Sequence, residues 1–406
     1  MPDAPLNLIL AVVALLTGIA LLRPRLRNRR TWRAMVTPLA SIIGSGFLII
    51  GPVLEKSFGY FAPLAMLALC ALAWAYGGAV RVNIARIGDG DDPRPALDQR
   101  IETVASAMLA FAYMISVAYY LNLFGAFAVS LTPWDSALSA RIVTSAMFVI
   151  ILVTGWTSGF AALERMEYSA VAVKLAVIAA LLVGLSLFAS GKAVSGDLVF
   201  NPPELTGWAA LTLTMGLLVT VQGFETSRYL GATYQSAVRI RSMRWAQSLS
   251  SAIYLFYIVA LAYVFRKDQL QFSETAIVDM MAIVAPVLPA LLVVAALAAQ
   301  FSAAVADTSG SGGLIAELTR GRIHPALAYA LLTAVGLAQT WAVDVFQIIT
   351  FASRAFAAYY ALQAGLAALG DWRDGRRARA IAFGLLAIFG AAIVVFGQPV
   401  EGEAGQ

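Results

Sequence analysis

Two apolar segments of the chain are each interrupted near the middle by small or polar residues. The first interruption is residues 42–46 (Ile-Ile-Gly-Ser-Gly), and the second is residues 222–225 (Gln-Gly-Phe-Glu). In hydrocarbon every backbone N–H and C=O group needs a partner, so a helix unwinds there only where the freed groups line a protein cavity or contact a ligand. Breaks at matching places in two halves of a chain therefore predict a binding site for a small polar ligand.

The first break has groups that suit an anion. Gly44 and Gly46 lack a Cβ atom, so the backbone can leave helical geometry and approach a ligand closely. The N–H groups of Ser45, Gly46 and Phe47 would begin the second half-helix and carry the positive end of its dipole, which suits a carboxylate. The alternative is that the glycines only allow close helix packing.

The second break has groups that suit a cation. Carbonyl groups around Val221 and Gln222 lose their helical partners and become acceptors for an ammonium group or a metal ion. A zwitterion would satisfy both breaks. Glu225 follows the second break, and Arg228 lies three residues further on. These two side chains can pair within the half-helix, or Glu225 can act as a gating or proton-sensing carboxylate.

Two more ionisable residues lie deep within apolar segments, where each charge costs about 2.5–3.5 kcal/mol on insertion. Lys174 is one, and Asp307, followed by Thr308 and Ser309, is the other. Such residues need partners or have a function. A structural ion pair between Lys174 and Asp307 is the simplest alternative to a functional role.

The elements that position these residues must be membrane helices. Of 406 residues, 60% are hydrophobic and 13% are charged, and the mean hydropathy of +0.80 fits no soluble class. The lone Cys70 excludes an internal disulfide and is interpreted as a packing residue. The sequence has no H-E-x-x-H motif, G-x-S-x-G motif or His/Cys cluster, which disfavours an enzyme. No segment repeats like the filter of a channel.

Hydropathy predicts about twelve spans. They are residues 5–22, 36–54, 60–82, 103–131, 139–156, 166–189, 206–232, 246–266, 286–315, 325–342, 345–369 and 378–397. Basic residues, which give the net charge of +5, concentrate in alternate connections, so the positive-inside rule places these connections in the cytoplasm and both termini outside. We expect an integral protein of the bacterial inner (plasma) membrane.

Without the first and last spans, ten core helices remain, and the breaks fall in core helices 1 and 6. Five helices per half force the halves into opposite orientations, so the repeat must be inverted. We predict an N-terminal anchor and basic linker (1–35), a first repeat (36–189), a second repeat (190–369), and a last loop, span and tail (370–406).

Four short motifs resemble those of the amino acid, polyamine and organocation (APC) transporters. Residues 41–47 (Ser-Ile-Ile-Gly-Ser-Gly-Phe), with Pro52, are similar to the first-helix G-S-G signature of that superfamily, and residues 221–225 (Val-Gln-Gly-Phe-Glu) to its sixth-helix G-F-E break. Residues 173–175 (Val-Lys-Leu) resemble its fifth-helix lysine region, and residues 320–325 (Arg-Gly-Arg-Ile-His-Pro) more loosely its R-D-G-x-x-P loop. The resemblance covers about residues 36–369 and implies an all-α, LeuT-type fold of five plus five helices, with one extra span at each end.

The resemblance also implies a coupling mechanism. Lys174 would lie near a sodium position, and its ammonium group would replace the ion, which couples transport to protons. However, Val305, Thr308 and Ser309 are also similar to the A-x-x-T-S element that supplies sodium ligands in sodium-coupled members. Both couplings stay open. One departure concerns Val219, which stands where amino acid transporters of this superfamily commonly have an aromatic gate.

We therefore expect a secondary active transporter of a small amino acid or amine, proton-coupled and working by alternating access as core helices 1, 2, 6 and 7 rock against the rest. The alternatives are sodium-coupled transport of an amino acid, nucleobase or other small solute, and a transport-inactive receptor, scaffold or ion-conducting protein of the same fold. No cofactor beyond a proton or sodium ion is expected, and the expected partners are the substrate and membrane lipid, with no nucleic acid. The predicted substrate-binding residues are Ser41, Gly44, Ser45, Gly46, Phe47, Val219, Val221, Gln222, Gly223 and Phe224. The predicted coupling and gating residues are Lys174, Glu225, Arg228, Asp307, Thr308 and Ser309, with a possible sodium ion at Thr308 and Ser309.

Overall fold

The protein is all-helical in the part of the chain that the computed structural model describes, which is residues 3–44, 46–89, 94–157, 159–270 and 275–398. The first-half helices are α1 (Asp3–Leu22), α2 (Pro24–Arg27), α3 (Arg30–Ile42), α4 (Gly46–Phe58), α5 (Ala62–Ile87), α6 (Ala96–Val129), α7 (Ala137–Thr157) and α8 (Gly159–Ser195). The second-half helices are α9 (Gly207–Gly216), α10 (Ser236–Leu261), α11 (Ala276–Val284), α12 (Leu288–Leu318), α13 (Pro325–Ala342), α14 (Val345–Arg373) and α15 (Arg377–Phe396).

Both predicted breaks are present. Core helix 1 consists of α3, which ends at the first break, and α4, which begins after it. Core helix 6 consists of α9, a 3₁₀ segment (Leu217–Val221) and, after the second break, a longer 3₁₀ segment (Phe224–Ala232). The two parts of core helix 6 meet at a bend of 41°. The tighter 3₁₀ geometry on both sides of the break is typical of a helix under local strain.

A helix lies at each of the twelve predicted spans. By length and composition alone, seven helices in the described residues can cross a membrane, and the bent pair of core helix 6 makes a possible eighth. The total of twelve spans stays a prediction. α10 begins ten residues before the predicted span at 246, because the arginine-rich stretch that precedes this span is helical.

The helices form a buried core and an outer layer. In α6 the most apolar window is 78% buried, whereas in α1 it is only 6% buried. α1 packs on α8, and α15 packs on α14. The two extra spans are therefore peripheral, and the broken helices lie inside, next to α5, α8, α10 and α12.

Candidate functional site

The two breaks lie against each other, backbone to backbone. A Cβ atom on Gly46, where α4 begins, would lie 2.5 Å from the Cα atom of Thr220 beside the second break. A Cβ atom on Gly223 would in turn lie 2.5 Å from the backbone nitrogen of Ile42. Gly223 also has a φ of +118°, a conformation that side chains disfavour. The glycines therefore allow the two breaks to contact each other.

Tyr254 of α10 connects the two breaks. Its hydroxyl lies 2.9 Å from the carbonyl oxygen of Ile42 and 2.7 Å from that of Thr220, so it can donate to a freed acceptor on either side. Its ring packs on Phe47, with 5.4 Å between the centroids. This role of Tyr254 was not predictable from the sequence, because a tyrosine in an apolar helix does not reveal its hydrogen-bond partners.

The Lys174 ammonium group lies at the first break. Its Nζ atom donates to the carbonyl oxygens of Ala40 at 2.8 Å and Ile43 at 2.7 Å, and to the hydroxyl of Ser302 on α12 at 3.1 Å. The side chain is fully buried. These three acceptors use all three N–H donors of the ammonium group. The charge is therefore held by carbonyl groups that the break leaves without helical partners.

Asp307 has different partners. Its carboxylate accepts a hydrogen bond from Ser41 at 3.2 Å, at the end of α3, and a short one from Ser116 on α6. The alternative of a structural Lys174–Asp307 ion pair is therefore wrong for the described side chains, because each group is already bonded to a different set of neighbours. Of these partners, Ser41 was a predicted site residue, and Ser116 was missed.

Thr308 and Ser309 follow Asp307 on α12. Within the described part of the chain, neither hydroxyl has a hydrogen-bond partner, although the Thr308 side chain is buried. Their oxygens remain available to a ligand or an ion.

Glu225 is bonded to the break that it follows. Its carboxylate accepts from the backbone N–H of Gly223 at 2.9 Å and from the Tyr360 hydroxyl at 2.6 Å. Arg228 pairs with Glu102 of α6 instead, at 2.7 Å. The alternative of a Glu225–Arg228 pair is therefore wrong. Glu225 turns back to the freed N–H group, and Arg228 reaches a carboxylate on a neighbouring helix.

The other predicted substrate-binding residues line the contact between the breaks. The Gln222 amide donates to the Tyr120 hydroxyl at 2.9 Å, and Phe224 stacks on Tyr360 at 5.1 Å. Val219 and Val221 are buried in the 3₁₀ segment, and Gly44 faces Ala303 of α12. Ser45 lies outside the described residues.

A cavity of about 830 Å³ opens on one side of the breaks. It lies between core helix 6, α12 and the ends of α7, α8 and α13, towards the loop that begins at Arg320. This is the side that the charge distribution assigns to the cytoplasm. Ser309 and Arg228 line the cavity, as does Glu167 of α8, but the described residues of the predicted substrate site do not. The cavity leads toward the breaks, which pack against each other at its inner end.

Helices broken at matching places, packed around a buried ammonium and a cavity open to one side, define a transporter of the LeuT type, not an enzyme. A family profile described as "APC superfamily transporter" matches residues 24–397. The chain belongs to the APC superfamily of transporters. An uncharacterized protein of Aquifex aeolicus (strain VF5) is 39% identical over 386 residues, which is 94% of each chain.

Two solved structures have the same fold. One, a substrate-bound, outward-open Na⁺-coupled sialic acid symporter, has a TM-score of 0.57 and 12% identity over 99% of each chain. The other, Mhp1, a nucleobase-cation-symport-1 family transporter in a closed conformation with bromovinylhydantoin bound, has a TM-score of 0.53 and 16% identity over 92% of this chain and 94% of that chain. At these identities the likeness shows the fold alone.

Proposed function

We propose that the protein is a proton-coupled secondary transporter of a small amino acid or amine, working by alternating access. The observation that carries the proposal is the position of Lys174. Carbonyl oxygens freed by a broken helix, together with a hydroxyl, are ligands for a small cation. Here an ammonium group occupies that position. The proton on Lys174 thus takes the role of a coupling ion.

Protonation changes what holds the first break. The protonated side chain has three N–H donors for the three acceptors around it. The neutral amine has two donors and a lone pair, so one acceptor loses its bond and buried acceptors without partners are costly. Loss of the proton therefore loosens the contact between α8 and core helix 1, the helix that must move in alternating access.

The cavity supports a route for the proton. Glu167 lines the cavity and lies seven residues before Lys174 on α8. Seven residues are about two helical turns, so the two side chains lie on the same face about 10 Å apart along the axis. A carboxylate between the cavity and the lysine is suited to passing protons from the side assigned to the cytoplasm.

The charges at the breaks support the proposed substrate class. The first N–H groups of α4 attract a carboxylate, and the buried Asp307 and Glu225 attract an amine. Sodium coupling is the second candidate, favoured by the unpartnered hydroxyls of Thr308 and Ser309. One of the solved structures with the same fold is a Na⁺-coupled symporter, which also supports sodium coupling as the second candidate.

Uptake into sodium-free proteoliposomes tests the proposal. A thermal-shift panel of amino acids and amines first selects the substrate, because a ligand of the native state raises its stability. We expect an inward proton gradient to drive uptake, and Lys174→Ala to reduce this uptake at least about tenfold, since it removes a charged donor from buried acceptors. Substrate exchange without a gradient should persist and shows that the variant is folded.

Lys192→Ala is the matched control, since Lys192 is a half-buried lysine in the last turns of the same helix, over the ring of Phe188 and away from the breaks. It should transport like the wild-type protein. Uptake that ignores the proton gradient, or a Lys174→Ala variant that still responds to it, would contradict proton coupling. Uptake that requires sodium would support the second candidate.

A further inference from the structure

A second cavity, of about 700 Å³, lies away from the breaks, between the linker that joins α1 to core helix 1 and the beginning of α10. We name it the linker groove. Arg29 and Arg30 contribute from the linker side, Arg241 contributes from α10, and Trp32 and Trp245 form part of its walls. Among the described residues, no carboxylate lines it. Three arginines therefore line one cavity, and none of the described residues that line it carries a counter-charge.

The contrast with other arginines at the same end of the molecule is informative. Arg86 pairs with Asp371 at 2.7 Å, Arg228 with Glu102 at 2.7 Å, and Arg373 with Asp98 at 2.7 Å. Within the described chain, Arg29, Arg30 and Arg241 form no such ion pair, and their side chains are exposed. The arginines of the groove are therefore not neutralised by described carboxylates, whereas arginines in neighbouring regions are.

The groove lies at the level of the lipid headgroups in the membrane. Arg30 begins α3, twelve residues before Ile42 at the break, which is about 18 Å of helix. Arg241 lies thirteen residues before Tyr254, which contacts the same break, or about 20 Å of helix. A break at the bilayer centre is about 15 Å from the edge of the hydrocarbon. The arginines on both sides of the groove therefore lie just beyond that edge.

The two tryptophans fit the same depth. Trp245 is 57% exposed, as expected of an indole that anchors a helix at the membrane interface. The Nε1–H group of Trp32 is buried and has no hydrogen-bond partner in the described chain. Trp32 therefore lines the groove with its ring, and its N–H group is not accessible from the groove.

We infer that the linker groove binds the phosphate headgroup of an anionic phospholipid. Arginines recognise phosphate through paired N–H donors, and basic pockets between helices at the membrane surface bind such headgroups. The lipid would link the linker and α3, in core helix 1, to α10, which is core helix 7. It would also relieve the repulsion among the three arginines.

Thermal unfolding of the detergent-purified full-length protein tests the inference. We expect added phosphatidylglycerol to raise the melting temperature by several degrees and phosphatidylcholine to have no such effect. The triple variant R29Q/R30Q/R241Q should need about tenfold more phosphatidylglycerol, or more, for the same shift.

R100Q/R322Q/R376Q is the matched control, because it removes the same charge from exposed arginines outside the groove. It should respond to phosphatidylglycerol like the wild-type protein. An equal response of the groove variant would overturn the inference. So would equal stabilisation by inorganic phosphate, which would indicate a site for a free anion, or stabilisation by poly-glutamate in place of the lipid, which would indicate a protein partner.

Discussion

The two broken helices free the same kinds of backbone group but satisfy them in different ways. At the first break, the carbonyl oxygens of Ala40 and Ile43 accept from Lys174, which belongs to another helix. At the second break, the N–H group of Gly223 donates to Glu225, two residues along the same chain. The freed carbonyl groups of the first break are therefore held by an ionisable side chain of another helix, whereas the freed N–H group of the second break is held by a carboxylate of its own segment.

The two glycines that bring the breaks together differ in a related way. Gly46 allows close approach to Thr220 and is otherwise compatible with a helix. Gly223 allows close approach to Ile42 and also takes a φ of +118°. The second break thus needs glycine for its conformation as well as for its packing. The backbone conformation of the second break is therefore more strongly fixed, and the first break is better suited to switching between conformations.

Gly223→Ala is the largest effect that this comparison predicts. The Cβ atom would overlap the backbone at Ser41 and Ile42 and would be held at an unfavourable φ. We expect a loss of stability of about 2–4 kcal/mol, combining the conformational and overpacking costs. Thermal unfolding in detergent measures it. Gly46→Ala should cost less, since it adds only overpacking.

Gly365→Ala is the control for Gly223→Ala. Gly365 lies within α14, and a Cβ atom there meets no other atom within 4 Å. This variant should be as stable as the wild-type protein or slightly more stable, since alanine favours a helix. Equal stability of the Gly223→Ala and Gly46→Ala variants would show that conformation does not distinguish the breaks.

The positions of the breaks were predictable from the sequence, and their partners were not. Glycines with polar neighbours inside an apolar segment mark the places where a membrane helix can unwind, and both predicted breaks are present. The partners come from residues such as Tyr254, Ser116 and Tyr360, which lie far away along the chain. Only the fold brings them to the breaks, so no local pattern reveals them.

The ion pairs show the same limit. Neighbours in the sequence suggested a Glu225–Arg228 pair, and shared depth suggested a Lys174–Asp307 pair. In the structure, Arg228 reaches Glu102 of α6, and Asp307 is bonded to two serines. Hydropathy ranks depth well, but it carries no information about the direction in which a side chain leaves its helix. The 3₁₀ geometry around the second break was missed for a similar reason, because the amino-acid composition of this segment does not distinguish a 3₁₀ helix from an α-helix.

Tyr254→Phe should have the next largest effect, because Tyr254 contacts both breaks. Without its hydroxyl, the carbonyl oxygens of Ile42 and Thr220 lose a buried donor. We expect a loss of stability of about 1–3 kcal/mol and slower uptake. Tyr257→Phe is the matched control, since the Tyr257 hydroxyl on the same helix has no partner in the described residues. If the two variants are equally stable, the bridge between the breaks does not contribute.

Glu225→Gln should have the smallest effect and is the most direct test of the difference between the breaks. A glutamine oxygen can still accept from the N–H group of Gly223 and from the Tyr360 hydroxyl, so only the charge assistance of these two bonds is lost. We expect the free energy of unfolding to fall by about 1 kcal/mol, measured by thermal unfolding in detergent, and uptake to be slower.

The proton response separates the two breaks in the same experiment. Since the protonated Lys174 holds the first break by donating hydrogen bonds, its replacement should remove the dependence of uptake on a pH gradient. Glu225→Gln keeps an uncharged acceptor at the second break, so its slower uptake should still follow the gradient. A Glu225→Gln variant that loses this dependence would assign the coupling proton to the second break instead. The second break, and not the first, would then be the one that switches.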